Sequence, residues 1–251
     1  MKKFLLGFTG EMGAGKGTAS DLLKLWFPGT ASFRFSDSLR EFYGRFRGIH
    51  LAQSDDAAWI FFRETLTEIL EASFGIGVIT RAPPDALANF ARWLSGEFTP
   101  KHKGRWPWPK NGSTADLQDI STKVRELFGE DILEQGIIAR VNQSATESAY
   151  VVIEGIRRLV DITRLMHDAE INFRLYYIEA DIKKRHERHK KRNEKSGDAD
   201  LTLEQFRKLG EQEAEQQIRL LKPYAHAIIQ NNGTREDFAE NLRIEILKLP
   251  A

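Results

Sequence analysis

Short runs of consecutive apolar residues alternate along this chain with segments whose apolar positions recur at helical spacing. Five runs read as strands: Phe4–Thr9, Ser32–Phe35, Tyr150–Ile153, Phe173–Glu179 and Ala227–Gln230. Runs of this length without polar alternation suit strands covered on both faces. Between them, Ala19, Leu22, Leu23 and Trp26 share one helical face, and Leu66, Ile69, Leu70 and Phe74 another. Leu117, Ile120, Val124 and Leu127 make a third, and Phe238, Leu242, Ile246 and Leu249 a closing one. Strands alternating with helices predict an α/β fold around a parallel sheet. The spacing is uneven, because the second and third strands are more than a hundred residues apart. That excursion, residues 37–149, is too long for a simple crossover and is expected to form a helical insertion over one sheet end, within a single domain spanning 1–251.

Composition narrows the picture. Of 251 residues, 41% are hydrophobic, enough for a sizeable core and against disorder. Lys and Arg number 37 against 36 Asp and Glu, a formal net charge of +1, so the chain as a whole is no generic polyanion binder. The absence of cysteine excludes thiolate catalysis, zinc–thiolate sites and disulfides, and fits a reducing compartment. The apolar start Phe4-Leu5-Leu6 ends at Gly10-Glu11 without a cleavage pattern, and no later stretch is long enough to span a bilayer. The expectation is a soluble cytoplasmic protein with no membrane partner. Within the insertion, residues 97–113 include the basic and aromatic stretch His102–Gly112, whose prolines and glycines read as a loop. An exposed insertion anchored by two tryptophans is favoured there over a base-stacking surface.

The strongest chemical signal is Gly10-Glu11-Met12-Gly13-Ala14-Gly15-Lys16-Gly17-Thr18, between the first strand and the first helix. Glycines let the backbone curl so that successive N–H groups point inward, and the helix N-terminus adds positive potential. This is the setting of a phosphate-binding P-loop, in which Lys16 reaches the terminal phosphates. The strict pattern has Ser or Thr directly after the lysine, whereas here Gly17 precedes Thr18. Lys-Gly-Thr resembles the loop of adenylate kinases and related nucleoside monophosphate kinases. That resemblance implies ATP and Mg²⁺ as cofactors, held by Gly10, Gly13, Ala14, Gly15, Lys16, Gly17 and Thr18, with Thr18 beside the metal.

Other stretches resemble the same group in chain order. Glu154-Gly155-Ile156-Arg157-Arg158 ends the third strand and is similar to the acid-Gly-x-Arg motif of phage-type deoxynucleoside monophosphate kinases and dephospho-CoA-kinase-related proteins. Glu154 then stands where a metal-directed acid belongs, one methylene longer than the aspartate of those families. Arg157 fits the short motif and Arg158 the adenylate kinase spacing. Ser36-Asp37-Ser38-Leu39-Arg40 is similar to the start of their substrate-side helix, although Asp37 also suits a plain helix cap. Arg125, with Arg40, is implied to face an acceptor phosphate. Lys183–Arg192 is dense in Lys and Arg and is followed by acids from Glu194 to Glu215. Arg185, Arg188 and Arg192 at near-helical spacing resemble a kinase lid over 183–215. That reading ranks ahead of a solvated charged helix, with a nucleic-acid patch last. Asn231 and Gly233 lie in a turn similar to the adenine-side loop.

The resemblance implies a P-loop kinase fold: a five-stranded parallel sheet of order 2-3-1-4-5, flanked by helices, with a helical substrate-binding insertion and a lid. It implies transfer of phosphate from ATP to a phosphate-bearing small molecule, most plausibly a (deoxy)nucleoside monophosphate. A dephospho-CoA kinase-like activity with Asp37 as base, and a nucleotide-binding module without kinase activity, are the alternatives.

Overall fold

Strand β1 (Phe4–Thr9) is buried along its whole length, as a strand covered on both faces must be. The computed structural model describes residues 3–47, 56–101, 112–144, 148–168, 170–192, 200–211 and 213–249. The chain divides into two compact units, one of Met1–Phe33 with Ala145–Ala251 and one of Arg34–Ser144. In the first unit β1 leads through a glycine-rich loop into α1 (Lys16–Trp26), which returns to β2 (Ala31–Arg34). Strand β3 (Tyr150–Glu154) pairs with one side of β1 and β4 (Asn172–Glu179) with the other, so that Phe4 lies opposite both Tyr150 and Asn172. With β5 (Ala227–Gln230) beyond β4, the sheet is all parallel in the order β2-β3-β1-β4-β5, as the resemblance implied.

Strand ends moved by one residue. Phe35 is apolar but opens a helix, because the Asp37 carboxylate accepts a 2.7 Å hydrogen bond from the Arg34 N–H and caps the first turn. One face of the sheet buries Phe4, Leu6, Phe8 and Val152 against Ala19, Leu22 and Leu23 of α1 and against Phe238, Leu242 and Ile246. The last three belong to α13 (Arg235–Leu247), whose start is fixed by reciprocal Thr234–Asp237 capping bonds of 2.8 and 3.1 Å. The short α9 (Thr163–His167) packs on β4.

The second unit, Arg34–Ser144, begins three residues before the expected insertion of 37–149, and among the described residues its elements after β2 are helices: α2 (Phe35–Phe46), α3 (Asp56–Phe74), α4 (Val78–Arg81), α5 (Ala86–Trp93), α6 (Thr99–Lys101), α7 (Thr114–Phe128) and α8 (Ile132–Gln143). Its core is aromatic. Phe42 meets Phe46, Phe74 and Phe90 at centroid distances of 5.7, 6.2 and 5.4 Å, and Phe90 meets the edge of Phe128 at 5.5 Å. Leu117, Ile120 and Val124 bury as their spacing predicts, but Phe128 takes the place expected of Leu127, which is half-buried. A Cβ on Gly136 would lie 2.4 Å from Ser38 Oγ, so α8 approaches α2 closely, and Arg140 pairs with Glu41 beside it. Residues 102–111 of the expected basic loop lie outside the described residues.

After β4 the first unit continues with α10 (Ile182–Arg192), α11 (Leu203–Leu209) and α12 (Glu213–Arg219). Phe206 of α11 sits 5.4 Å from both the His186 and His189 rings, which joins α11 to α10. Of the expected lid, residues 193–199 and 212 lie outside the described residues. Among the described residues no helix is long and apolar enough to cross a membrane.

Candidate active site

The loop between β1 and α1 is built by glycines that other groups crowd. Gly13 has φ +77°, and a Cβ there would lie 2.5 Å from the Arg185 carbonyl oxygen. Gly15, at φ +113°, would meet Asn231 Nδ2 at 2.2 Å. Any L side chain is therefore excluded at both places by conformation and by space. Gly17, by contrast, has nothing within 4 Å, so the departure from the strict motif leaves open room beside α1.

Lys16 folds back over this loop. Its ammonium donates to the Gly10 carbonyl at 2.6 Å and to that of Glu11 at 3.1 Å. The stem stays partly accessible while the ammonium lies low, and burial lowers its pKa from 10.5 to about 8. Glu215 acts against that shift, whereas the charges of Arg157, Arg192 and Arg185 add to it. Burial of the ammonium is the largest cause of the shift, and a bound anion would oppose it. An anion bound there restores Lys16 towards its ordinary value, so binding takes up protons between about pH 8 and pH 10 and weakens as pH rises through that window. Calorimetry with ATP near pH 9 in buffers of different ionisation enthalpy is expected to show this uptake. A buffer-independent heat would contradict it.

The arginines of α10 divide by surroundings. Arg185 is only 7% exposed. Its guanidinium donates to the carbonyls of Ala180 and Met12 and pairs with Glu11 at 3.2 Å, while lying 5.9 Å from the Phe206 ring. The acid on Arg185 is Glu11 of the loop. Arg188 donates from Nη2 to Asn231 Oδ1 at 3.1 Å, and its buried Nη1 finds no partner among the described residues. A phosphate oxygen would satisfy that donor. Arg192 is exposed, and its charge adds to the lowering of the Lys16 pKa.

Asn231 is a strut. Its Nδ2 donates 2.7 Å to the Ala14 carbonyl and its Oδ1 accepts from Arg188, so the side chain serves the loop and α10 together. The turn at Gly233 is filled by Asp237, which is the capping arrangement. At the end of β3, Glu154 Oε1 accepts from Ser20 Oγ at 2.7 Å and Ser32 Oγ at 2.8 Å, with Lys24 at 3.8 Å. Arg157 is exposed and its charge reaches Lys16, whereas Arg158 closes a local turn on Asp161 through N–H and guanidinium. The geometry therefore separates two arginines that the motif left equivalent.

The chain matches no family model. Two archaeal proteins share similarity over 134 residues, 53% of this chain. One is a UPF0200/UPF0201 protein of Archaeoglobus fulgidus, 28% identical, of which the match covers 41%. The other is a UPF0200 protein of Methanococcus maripaludis, 27% identical, of which it covers 71%. The matched stretch thus spans less than half of the first of these relatives. Among solved structures, TT1252 of Thermus thermophilus aligns over the full length of both chains at TM-score 0.46 and 14% identity. A dephospho-CoA kinase of Campylobacter jejuni aligns over 99% of this chain and 98% of its own at TM-score 0.39 and 12% identity.

Asp37, Arg40 and Arg125, expected on the acceptor side, belong to the helical unit. Asp37 is engaged as the cap of α2, and Arg40 is exposed. Arg125, 9% exposed, turns inward: its guanidinium contacts the Glu130 carbonyl and lies 3.4 Å from Ser121 Oγ. Sequence reasoning passed over Glu11, Glu215 and Arg219. Glu11 sits at a free position of the motif, yet its carboxylate bridges Arg185 and Arg219, the latter at 2.8 Å.

Proposed function

We propose that this chain transfers the terminal phosphoryl group of ATP to a phosphate-bearing small molecule, a (deoxy)nucleoside monophosphate. The observation that carries the reading is a strand–loop–helix junction at which the Lys16 ammonium folds over two loop carbonyls and Gly13 and Gly15 admit no side chain. In such a transfer an acceptor phosphate oxygen forms a bond to the γ-phosphorus while the bond to the leaving ADP oxygen breaks. No proton must be removed from the acceptor, so positioning and charge supply the catalysis.

The geometry supports the following roles. The loop amides hold the inner phosphates, and Lys16 leaves the Gly10 and Glu11 carbonyls to bridge the outer ones. Arg188 Nη1 and the charges of Arg157 and Arg192 face the negative charge that spreads in transfer. Mg²⁺ fits hard oxygen donors and substrate phosphates rather than a full protein cage. That agrees with a Thr18 hydroxyl and a Glu154 carboxylate as its protein-side oxygens. When bound, the ion neutralises charge on the transferred group. Glu154 is held for such a task by Ser20 and Ser32. Arg40 is the accessible candidate for the acceptor phosphate, while Arg125 supports the helical unit from inside.

The purified chain with ATP and Mg²⁺, offered every NMP and dNMP and dephospho-CoA in turn, is expected to release ADP in response to a monophosphate. Release with dephospho-CoA alone would transfer the reading to a hydroxyl acceptor, for which Asp37 would have to give up its capping bond. ADP release with none of them would leave a nucleotide-binding module.

A further inference from the structure

Helix α12 rests on the loop through two residues one turn apart, which share a helix face. Arg219 holds the Glu11 carboxylate at 2.8 Å. Glu215 places its own carboxylate on the next residue, accepting a 2.9 Å hydrogen bond from the Met12 N–H. A carboxylate on a P-loop amide is an anion in an anion site, supplied by the chain itself. Its position within the site is specific. The amides from Gly13 to Thr18 run into the N-terminus of α1, where inner phosphates are cradled. Met12 precedes them in the chain, next to Glu11, whose carbonyl holds the Lys16 ammonium together with that of Gly10. Lysine at this place serves the outer phosphates, so Glu215 occupies the outer end.

We propose that Glu215 makes the site discriminate between nucleoside diphosphate and triphosphate: a terminal phosphate must displace it, whereas a diphosphate leaves it in place. The proposal rests on the loop being a nucleotide site. The Met12 amide has one hydrogen to donate, so a phosphate oxygen and the carboxylate compete for it. Two anions a few ångströms apart also repel by several times the thermal energy near a protein surface. The favourable influence of Glu215 on the Lys16 ammonium is then replaced by that of the phosphate. Since α12 is tied to the loop partly through Glu215, the helix reports whether the outer phosphate position is filled. Transfer of the phosphoryl group empties that position, and Glu215 can return while ADP is still bound.

The test compares Mg²⁺ complexes of ADP and of AMP-PNP, a triphosphate analogue that resists transfer, by calorimetry on the full chain. Glu215→Gln removes the charge at constant shape, and Glu215→Ala removes charge and acceptor. Both variants are expected to bind AMP-PNP about tenfold more tightly than the unaltered chain, with ADP changed less than about threefold. Equal changes for both nucleotides, or no tightening, would overturn the proposal while leaving the nucleotide site standing. Binding of neither nucleotide to any of the three proteins would overturn both. In the unaltered chain, amide hydrogen exchange over residues 213–219 is expected to be faster with AMP-PNP than with ADP. Identical exchange would overturn the proposal without recourse to variants.

Discussion

Lys16→Ala is expected to reduce phosphoryl transfer about a thousandfold or more while leaving the chain folded. The size follows from the work the ammonium does: it folds over the loop to within hydrogen-bond distance of two of its carbonyls. The unaltered fold follows from its cost. Burial brings the Lys16 pKa down to about 8, so the native state holds the charged form less well than an unfolded chain does. Removing it relieves that penalty. Below about pH 8 the variant should melt at the same temperature as the unaltered chain or higher, because there the native state carries the burdened charge in full. Steady-state ADP release and a thermal melt settle both points. Retained transfer, or a collapse of melting temperature, would refute the account of the site.

The second large effect separates the arginines of α10. A lid of three equivalent arginines predicts a loss of kcat for each. The structure makes them unequal. Arg185→Ala is expected to lower stability by roughly 2–4 kcal/mol, since it removes a buried guanidinium from Glu11 and from two carbonyl acceptors. Arg192→Ala should lower kcat about tenfold or more, with little effect on ATP affinity, as expected of a charge used mainly during transfer. Melting curves and kcat measured side by side decide it. A stable Arg185→Ala protein, or Arg192→Ala with unaltered kcat, would contradict the division.

Much of the fold was legible because the strands carry unbroken apolar runs and the helices a clear face. β1 and β5 fall at the expected residues, and the others differ by about one. The errors have local causes, such as the Asp37 cap that draws Phe35 into α2. The loop itself was legible because glycine spacing is a backbone requirement written in sequence. Its neighbours were not. Glu11 meets Arg219 across 208 positions, and Met12 meets Glu215 across 203, so neither partner leaves a short-range pattern. Arg125 had the composition of a phosphate ligand, and only packing shows that it turns inward to Glu130. Arg157 and Arg158 were indistinguishable by spacing. What separates them is Asp161, three residues beyond Arg158, which holds one of the two.

The strut from Asn231 to the Ala14 carbonyl also constrains how this chain can diverge. Because Asn231 Nδ2 fills the space a Cβ would need at Gly15, neither position is free to drift by itself. A larger residue at 231 would press on the loop, and a smaller one would strand a buried carbonyl and an arginine donor. Homologous chains that keep Lys16 should therefore inherit glycine at 15 and asparagine at 231 as a pair. That two-site signature, separated by the whole length of the helical unit, would mark relatives that a search on the loop alone cannot tell from other phosphate-loop proteins.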